Sequence, residues 1–200
     1  MAVTKGFSVD IIREAARAGY TDVGENRVRR AVEKKNELGD EAKSLKWHMI
    51  GHVQSNKVRY LLGEFDLIHS VDRKSLIDEL EKRLARENQE QSVLLQVNTS
   101  GEESKHGADP EAAPRILEMI LETDHLSAEG LMTMAPYTEQ NSVLRETFGR
   151  CRELRDQLSV RFDVSLPELS MGMTNDYRQA LREGSTILRL GRALFGERPE

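Results

Sequence analysis

Short β-rich runs alternate with amphipathic helical stretches along the chain, and this alternation limits the possible folds more than any other feature. Between the runs, apolar residues recur three and four positions apart, as in Leu76, Ile77, Leu80 and Leu84. Strands that are separated by helices pair in parallel, because each helix returns the chain to the edge where the next strand begins. The eight candidate strands are Ala2–Thr4, Thr21–Gly24, Trp47–Gly51, Leu67–Val71, Ser92–Val97, Glu129–Met134, Glu168–Met171 and Ile187–Leu190.

The number and order of these strands predict an α/β fold, a parallel (β/α)8 TIM barrel. The 200 residues place the chain near the lower size limit of that fold. A doubly wound open sheet is the alternative, because the spatial order of strands cannot be read from one sequence. No interdomain linker or internal repeat divides the chain, so we expect one domain over residues 1–200.

Composition argues against several classes of partner. The formal net charge is −5, from 29 basic and 34 acidic side chains, and no local basic patch is evident, so we expect no nucleic-acid partner. No apolar stretch approaches the ~18 residues of a membrane span, and no membrane partner is expected. The single cysteine, Cys151, excludes an internal disulfide and a zinc site built on paired cysteines. We therefore expect a cytoplasmic protein.

In a TIM barrel the chemistry lies at the carboxyl ends of the strands, so the residues that follow each strand are the candidates. Lys5 follows the first strand, where desolvation would favour a neutral amine that can attack an aldehyde; the alternative is an exposed lysine near a terminus. The segment around Ser170 and the backbone of Gly191 could hold a phosphate, or could simply form tight turns. Arg189 could be a buried cation for an acceptor or part of a salt bridge at the rim.

Two other groups of polar residues give weaker signals. His48 and His52 are four residues apart, but the segment between them is typical of a strand, so no metal site is expected. Glu25, Glu102 and Glu103 could act as acid–base groups, although exposed carboxylates of this kind are common.

Several motifs taken together resemble one family, the pyridoxal phosphate homeostasis proteins, which are single-domain barrels of pyridoxal-phosphate fold type III. The motifs run in order from residue 2 to residue 196. The segment with His48, Gly51 and His52 and the Ser-Met-Gly-Met segment are specific, whereas Gly-Glu-Asn alone would be a weak signal. The segments are Ala2–Lys5, Gly24–Asn26, Trp47–Lys57, His69–Asp72, Leu95–Asn98, Gly101–Lys105, Gly130–Pro136, Leu169–Met173, Arg189–Gly191 and Phe195–Gly196.

The resemblance implies a role for each matching residue. Lys5 corresponds to the lysine that forms the internal aldimine with pyridoxal 5'-phosphate. Ser170 and the backbone of Gly191 correspond to the phosphate cradle, and Asn26 and Met171 to the surroundings of the cofactor. The implied function is reversible binding of pyridoxal phosphate in intracellular vitamin B6 homeostasis, with pyridoxal-phosphate-dependent apoenzymes as possible partners.

Arg189 corresponds to the arginine that faces the pyridine nitrogen. An arginine stays protonated and can only donate, so it keeps the ring nitrogen unprotonated. An unprotonated ring is a poorer electron sink, which works against carbanion chemistry.

The sequence departs from the family pattern in two places. The helix that the family usually carries before its first strand is missing ahead of Ala2, which leaves closure of the barrel in question. Arg192 stands where family members often have a small hydroxyl residue, and this substitution removes one expected side-chain contact to phosphate.

Three functions other than a cofactor carrier are compatible with the residues. An amino-acid racemase needs an acid–base group on each face of a planar carbanion, and this chain has no second domain to supply one, so it would have to act as a dimer. Tyr137 and Tyr177 are the tyrosines predicted near the barrel mouth. A Schiff-base aldolase acting on a phosphosugar would also use Lys5 and the phosphate loops. A purely structural barrel would bind neither ligand. The resemblance favours a non-enzymatic carrier.

Overall fold

The computed structural model describes residues 1–102 and 105–197, and within them the main sheet has seven parallel strands. The strands pair in chain order, each with the next, so every crossover connects neighbours. All seven overlap strands predicted from the sequence. They are β1 (Ala2–Val3), β2 (Asp22–Glu25), β3 (Lys46–Met49), β4 (Leu67–Val71), β5 (Gln91–Gln96), β6 (Leu126–Met132) and β7 (Glu168–Ser170).

The segment Ile187–Leu190, predicted as an eighth strand, closes the sheet without forming a regular strand. It makes one parallel bridge to each side, Ser170 with Ile187 and Ala2 with Leu190. The N–H of Val3 donates to the carbonyl of Leu190 at 2.7 Å. The prediction of a full strand was wrong because β1 and β7 are only two and three residues long and offer too short a ladder. The barrel itself is confirmed, and the open-sheet alternative is wrong.

Helices cover the outside of the barrel, and their apolar stripes face the sheet as the spacing predicts. The predicted stripe of Leu76, Ile77, Leu80 and Leu84 is buried against the strands. Two short 3-10 helices, Gly39–Ser44 and Ser55–Tyr60, lie on either side of β3. The α-helices are α1 (Val9–Arg17), α2 (Val28–Leu38), α3 (Lys74–Glu87), α4 (Ala113–Leu121), α5 (Asn141–Phe162), α6 (Tyr177–Arg182) and α7 (Arg192–Phe195).

Side chains alternate between the two faces of the sheet and thereby build two kinds of core. Trp47 of β3 packs outward in the apolar layer beneath the helices, whereas the next residue, His48, contacts His69 of the neighbouring strand β4 in the barrel interior. Leu67, Leu94 and Met132 form a small apolar cluster of their own. The position of a residue along its strand therefore decides whether its side chain lies inside the barrel or beneath the helices.

Other sequence expectations can be located directly. Cys151 lies on the buried face of α5, and burial raises the pKa of its thiol to about 12, so it is a packed, unreactive thiol. No helix within the described residues is long and apolar enough to cross a bilayer. Glu103 and Ser104, part of the Gly101–Lys105 motif, lie outside the described residues.

Candidate functional site

A cavity of about 340 Å³ opens at the carboxyl ends of the strands, where a TIM barrel carries its chemistry. Lys5, which follows β1, lines this cavity together with Arg189 and Gly191 of the closing segment. Lys5 also lines an adjoining cavity of about 460 Å³, in which Asn26 forms part of the wall. The half-buried lysine therefore stands between two spaces that open at the same edge of the sheet.

A buried ion pair fixes the backbone immediately before Lys5. The Lys34 ammonium donates to the carbonyl of Thr4 at 2.8 Å and to Glu25 Oε1 at 2.5 Å. The Thr4 hydroxyl donates to the same carboxylate oxygen at 2.7 Å. The Glu25 side chain is only 1% exposed. It borders the adjoining cavity but not the one that contains Arg189, and its carboxylate is engaged by Lys34 and Thr4.

Arg189 brings a buried positive charge to the cavity wall. Its Nη1 donates to Ser170 Oγ at 2.7 Å and its Nη2 to the carbonyl of Thr133 at 2.8 Å. Within residues 1–102 and 105–197, no carboxylate lies within 4 Å of the guanidinium. Burial lowers the pKa of Arg189 to about 10, partly offset by the charge of Asp176, so the group is protonated at neutral pH. Such a cation is suited to a ligand that can accept a hydrogen bond.

Ser170 and Met171 lie behind the cavity wall. Both are fully buried, and neither lines the cavity. The Ser170 hydroxyl is held between Arg189 and His69 Nδ1, the latter at 2.8 Å, and Met171 packs in the apolar layer beneath the helices. The structure thus brings Lys5, Arg189 and Gly191 together and does not bring these two side chains to the same surface. Their contact with a cofactor stays a prediction.

Three side chains of the cavity wall were missed by the sequence reasoning. Thr174 accepts a hydrogen bond from the N–H of Ala193 at 3.2 Å, which ties the loop after β7 to α7. Asp176 is 6% exposed, and burial raises the pKa of its carboxyl against the hydrogen bond from the N–H of Met173. Lys105 donates to a backbone carbonyl in the loop after β6 at 3.2 Å. The rule that strand ends carry function could have found Thr174 and Asp176, because both closely follow β7.

The rim of the cavity is formed by residues on the last loops. A Cβ on Gly191 would lie 3.3 Å from the carbonyl oxygen of Val3, so a larger residue here would require Val3 to shift by a few tenths of an ångström. Arg192 lines the cavity, and its guanidinium lies 3.8 Å from Glu197. Tyr137 also lines the cavity, and it is 90% exposed.

The two histidines weighed as a metal pair diverge. His48 Nε2 lies 3.1 Å from Asp22 inside the barrel, whereas the ring of His52 stacks on His106 with centroids 4.6 Å apart. In the part of the chain that the structure describes, no group of three or more metal-ligating side chains could hold a metal ion.

Comparison with known proteins gives a consistent set of similar chains. Residues 1–199 match the family model described as alanine racemase, N-terminal domain. The pyridoxal phosphate homeostasis protein of Aquifex aeolicus (strain VF5) is 45% identical over 198 residues, which cover 99% of this chain and 86% of that protein. The protein of the same name from Pseudomonas aeruginosa is 39% identical, with 99% and 84% of the two chains covered.

Solved structures agree with these matches. PipY of Synechococcus elongatus PCC7942, solved with pyridoxal phosphate bound, is 34% identical and superimposes with a TM-score of 0.90, covering 98% of this chain and 91% of that one. Alanine racemase of Clostridium difficile 630 superimposes with a TM-score of 0.83 at 11% identity, covering all of this chain and 55% of that one. At so low an identity the second likeness concerns the fold alone.

Proposed function

The chain belongs to the alanine racemase N-terminal domain family and, within it, to the pyridoxal phosphate homeostasis proteins, and from this premise we propose that it binds pyridoxal 5'-phosphate on Lys5 in intracellular vitamin B6 homeostasis. One observation carries the proposal: Lys5 and Arg189, whose side chain is buried, line the same cavity. The cofactor bound in the PipY structure supports the same ligand here.

The residues around the cavity fit the three polar groups of this cofactor. When bound, pyridoxal phosphate supplies an aldehyde with which an amine condenses reversibly with loss of water. Lys5 is the amine, and Arg189 is the donor for the ring nitrogen. Gly191 and Thr174 line the cavity, and we propose that the backbone of Gly191 and the hydroxyl of Thr174 hold the phosphate. Asn26 contributes to the surroundings of the cofactor from the adjoining cavity, and Ser170 supports Arg189 from behind the cavity wall.

Arg189 also favours storage over turnover. A guanidinium that only donates leaves the ring nitrogen unprotonated, and such a ring stabilises a carbanion poorly. Tyr137, the tyrosine on the cavity wall, is 90% exposed and is not held in a defined position by burial. The relatives named above are homeostasis proteins, which supports a non-enzymatic role. We therefore propose a cytoplasmic carrier, formed by residues 1–200 as one domain, that holds the cofactor and releases it to apoenzymes.

The test compares the visible absorbance of the purified wild type with that of Lys5→Ala, before and after borohydride. We expect a yellow wild type whose cofactor becomes covalently fixed on reduction, and a variant that lacks this adduct. Lys105→Ala is the matched control, because it removes a second amine from the same cavity wall and should keep the adduct.

Other outcomes separate the alternatives. A wild type that stays colourless after addition of pyridoxal phosphate contradicts the proposal and favours an aldolase acting on a phosphosugar. Inversion of a chiral amino acid by the yellow protein would establish the racemase, acting as a dimer, in place of the carrier.

A further inference from the structure

A continuous line of side-chain hydrogen bonds crosses the barrel interior from Asp22 to Arg189. Asp22 Oδ1 lies 3.1 Å from His48 Nε2, and His48 Nδ1 lies 2.9 Å from His69 Nε2. His69 Nδ1 lies 2.8 Å from Ser170 Oγ, which accepts from Arg189 Nη1 at 2.7 Å. Asp22 is the first residue of β2, so the line starts at the barrel end opposite the cavity. We call this line the interior chain.

The two ends of the interior chain fix its direction. A guanidinium can only donate and a carboxylate can only accept, so each bond in the chain points from Arg189 toward Asp22. The Ser170 hydroxyl then donates to His69 Nδ1. It follows that His69 and His48 each carry their single proton on Nε2, which they donate onward.

The surroundings keep both imidazoles neutral, as this arrangement requires. His69 is fully buried and His48 is 6% exposed. Burial holds the pKa of His69 well below 6.5 and lowers that of His48 against the attraction of Asp22. No buried polar side-chain atom lacks a partner in the described part of the chain, so the buried members of the interior chain are all hydrogen-bonded.

We propose that Asp22, His48, His69 and Ser170 are positioning residues that hold Arg189 in one orientation toward the cavity and link it to the carboxylate at the far end of the barrel. Which ligand group Arg189 contacts in the cavity rests on the function proposed above. The chain itself is a property of the protein without cofactor.

The proposal requires that the tautomers of His48 and His69 change together. If the His48 proton moved to Nδ1, His69 could no longer donate there and would have to present an unprotonated Nε2. The His69 proton would then lie on Nδ1, and the Ser170 hydroxyl would have to turn away from it. A change at Asp22 is thereby transmitted to a histidine that it does not touch.

The experiment is nitrogen NMR of the ¹⁵N-histidine-labelled, cofactor-free protein at pH 7, in the wild type and in Asp22→Asn. The wild type should show His48 and His69 both protonated on Nε2. The amide of the shape-conserving variant can donate as well as accept, so both chain directions become possible. A protonated Nδ1 population should then appear on both rings in equal proportion.

Asp66→Asn is the matched control, because this carboxylate also acts on His48 but lies outside the interior chain. It should leave both tautomers unchanged. A wild-type His69 protonated on Nδ1, unchanged tautomers in Asp22→Asn, or a change confined to His48 would each overturn the proposal.

In the loaded protein, Asp22→Asn should keep the borohydride-trapped adduct on Lys5 but shift the pH profile of its visible band. An unchanged profile would overturn the link to Arg189. Absence of any adduct in the wild type would instead refute the proposed function and leave the NMR result standing.

Discussion

At the scale of a single residue, Lys34 holds the backbone beside Lys5. Its ammonium joins the carboxylate of Glu25, 1% exposed, to the carbonyl of Thr4, directly before Lys5. Lys34→Met removes the charge and leaves the buried carboxylate uncompensated. We expect the free energy of unfolding in urea to fall by about 3 kcal/mol.

The carboxylate itself supplies the control for this prediction. In the double variant Glu25→Gln with Lys34→Met, no unpaired charge is buried, so part of the lost stability should return. A double variant that is as unstable as the sum of both single variants would mean that the ammonium acts only through its bond to Thr4.

The turn between β7 and α6 sets the cavity wall at the scale of an element. Gly172 has a φ of +93°, and a Cβ there would lie 2.6 Å from the Cβ of Ala180 in α6. Its carbonyl also accepts from the N–H of Arg189 at 2.9 Å. Gly172→Ala should therefore lower the free energy of unfolding by about 2–5 kcal/mol, from the backbone strain and the steric clash together, as measured by urea denaturation.

Gly19 separates the contribution of backbone strain from that of the steric clash. Its φ of +91° nearly equals that of Gly172, but a Cβ there meets no atom within 4 Å. Gly19→Ala should cost only the backbone term, about 1–2 kcal/mol. Equal losses in the two variants would show that α6 moves aside and that the packing of this turn does not fix the wall.

Strand positions could be predicted from the sequence because each strand is a local apolar run, and Leu67–Val71 has the same bounds in the sequence and in the structure. The closing segment could not be predicted as closely. Whether Ile187–Leu190 forms a ladder depends on how far β1 and β7 extend beside it, and their lengths are set by distant parts of the chain.

The site was predicted in part for the same reason. Lys5 and Arg189 follow from the rule that strand ends carry function, and the structure places both on the cavity. Ser170 lies behind that wall because the pleat turns its side chain into the barrel, which a single sequence does not reveal. Asp176 closely follows β7, so the same rule could have found it.

Buried, neutral histidines make the stability of the whole molecule depend on pH. Burial holds the pKa of His69 well below 6.5 and lowers that of His48, while Asp66 and Asp22 act on His48 in the opposite sense and the N-terminal amino group adds to the lowering. Partial burial acts to raise the pKa of Asp22, but hydrogen bonds from Thr21 and His48 outweigh it and lower that pKa.

The lowered pKa values of His48, His69 and Asp22 all make the folded protein less stable as the pH falls. Below pH 6.5 the unfolded chain binds protons on His48 and His69 that the folded chain does not, and at lower pH the same holds for Asp22. The free energy of unfolding should therefore be constant near pH 7 as far as these groups are concerned. It should fall on acidification by about 1.4 kcal/mol per pH unit for each proton taken up on unfolding.

Urea denaturation at a series of pH values from 7.5 down to about 5 measures this slope. His69→Gln removes one of the buried imidazoles, so its stability, although lower at pH 7, should fall less steeply with acid. A wild type whose stability does not change between pH 7 and pH 5 would mean that the barrel interior accepts a charged imidazole. In that case the neutral rings required by the interior chain would not be maintained at acid pH.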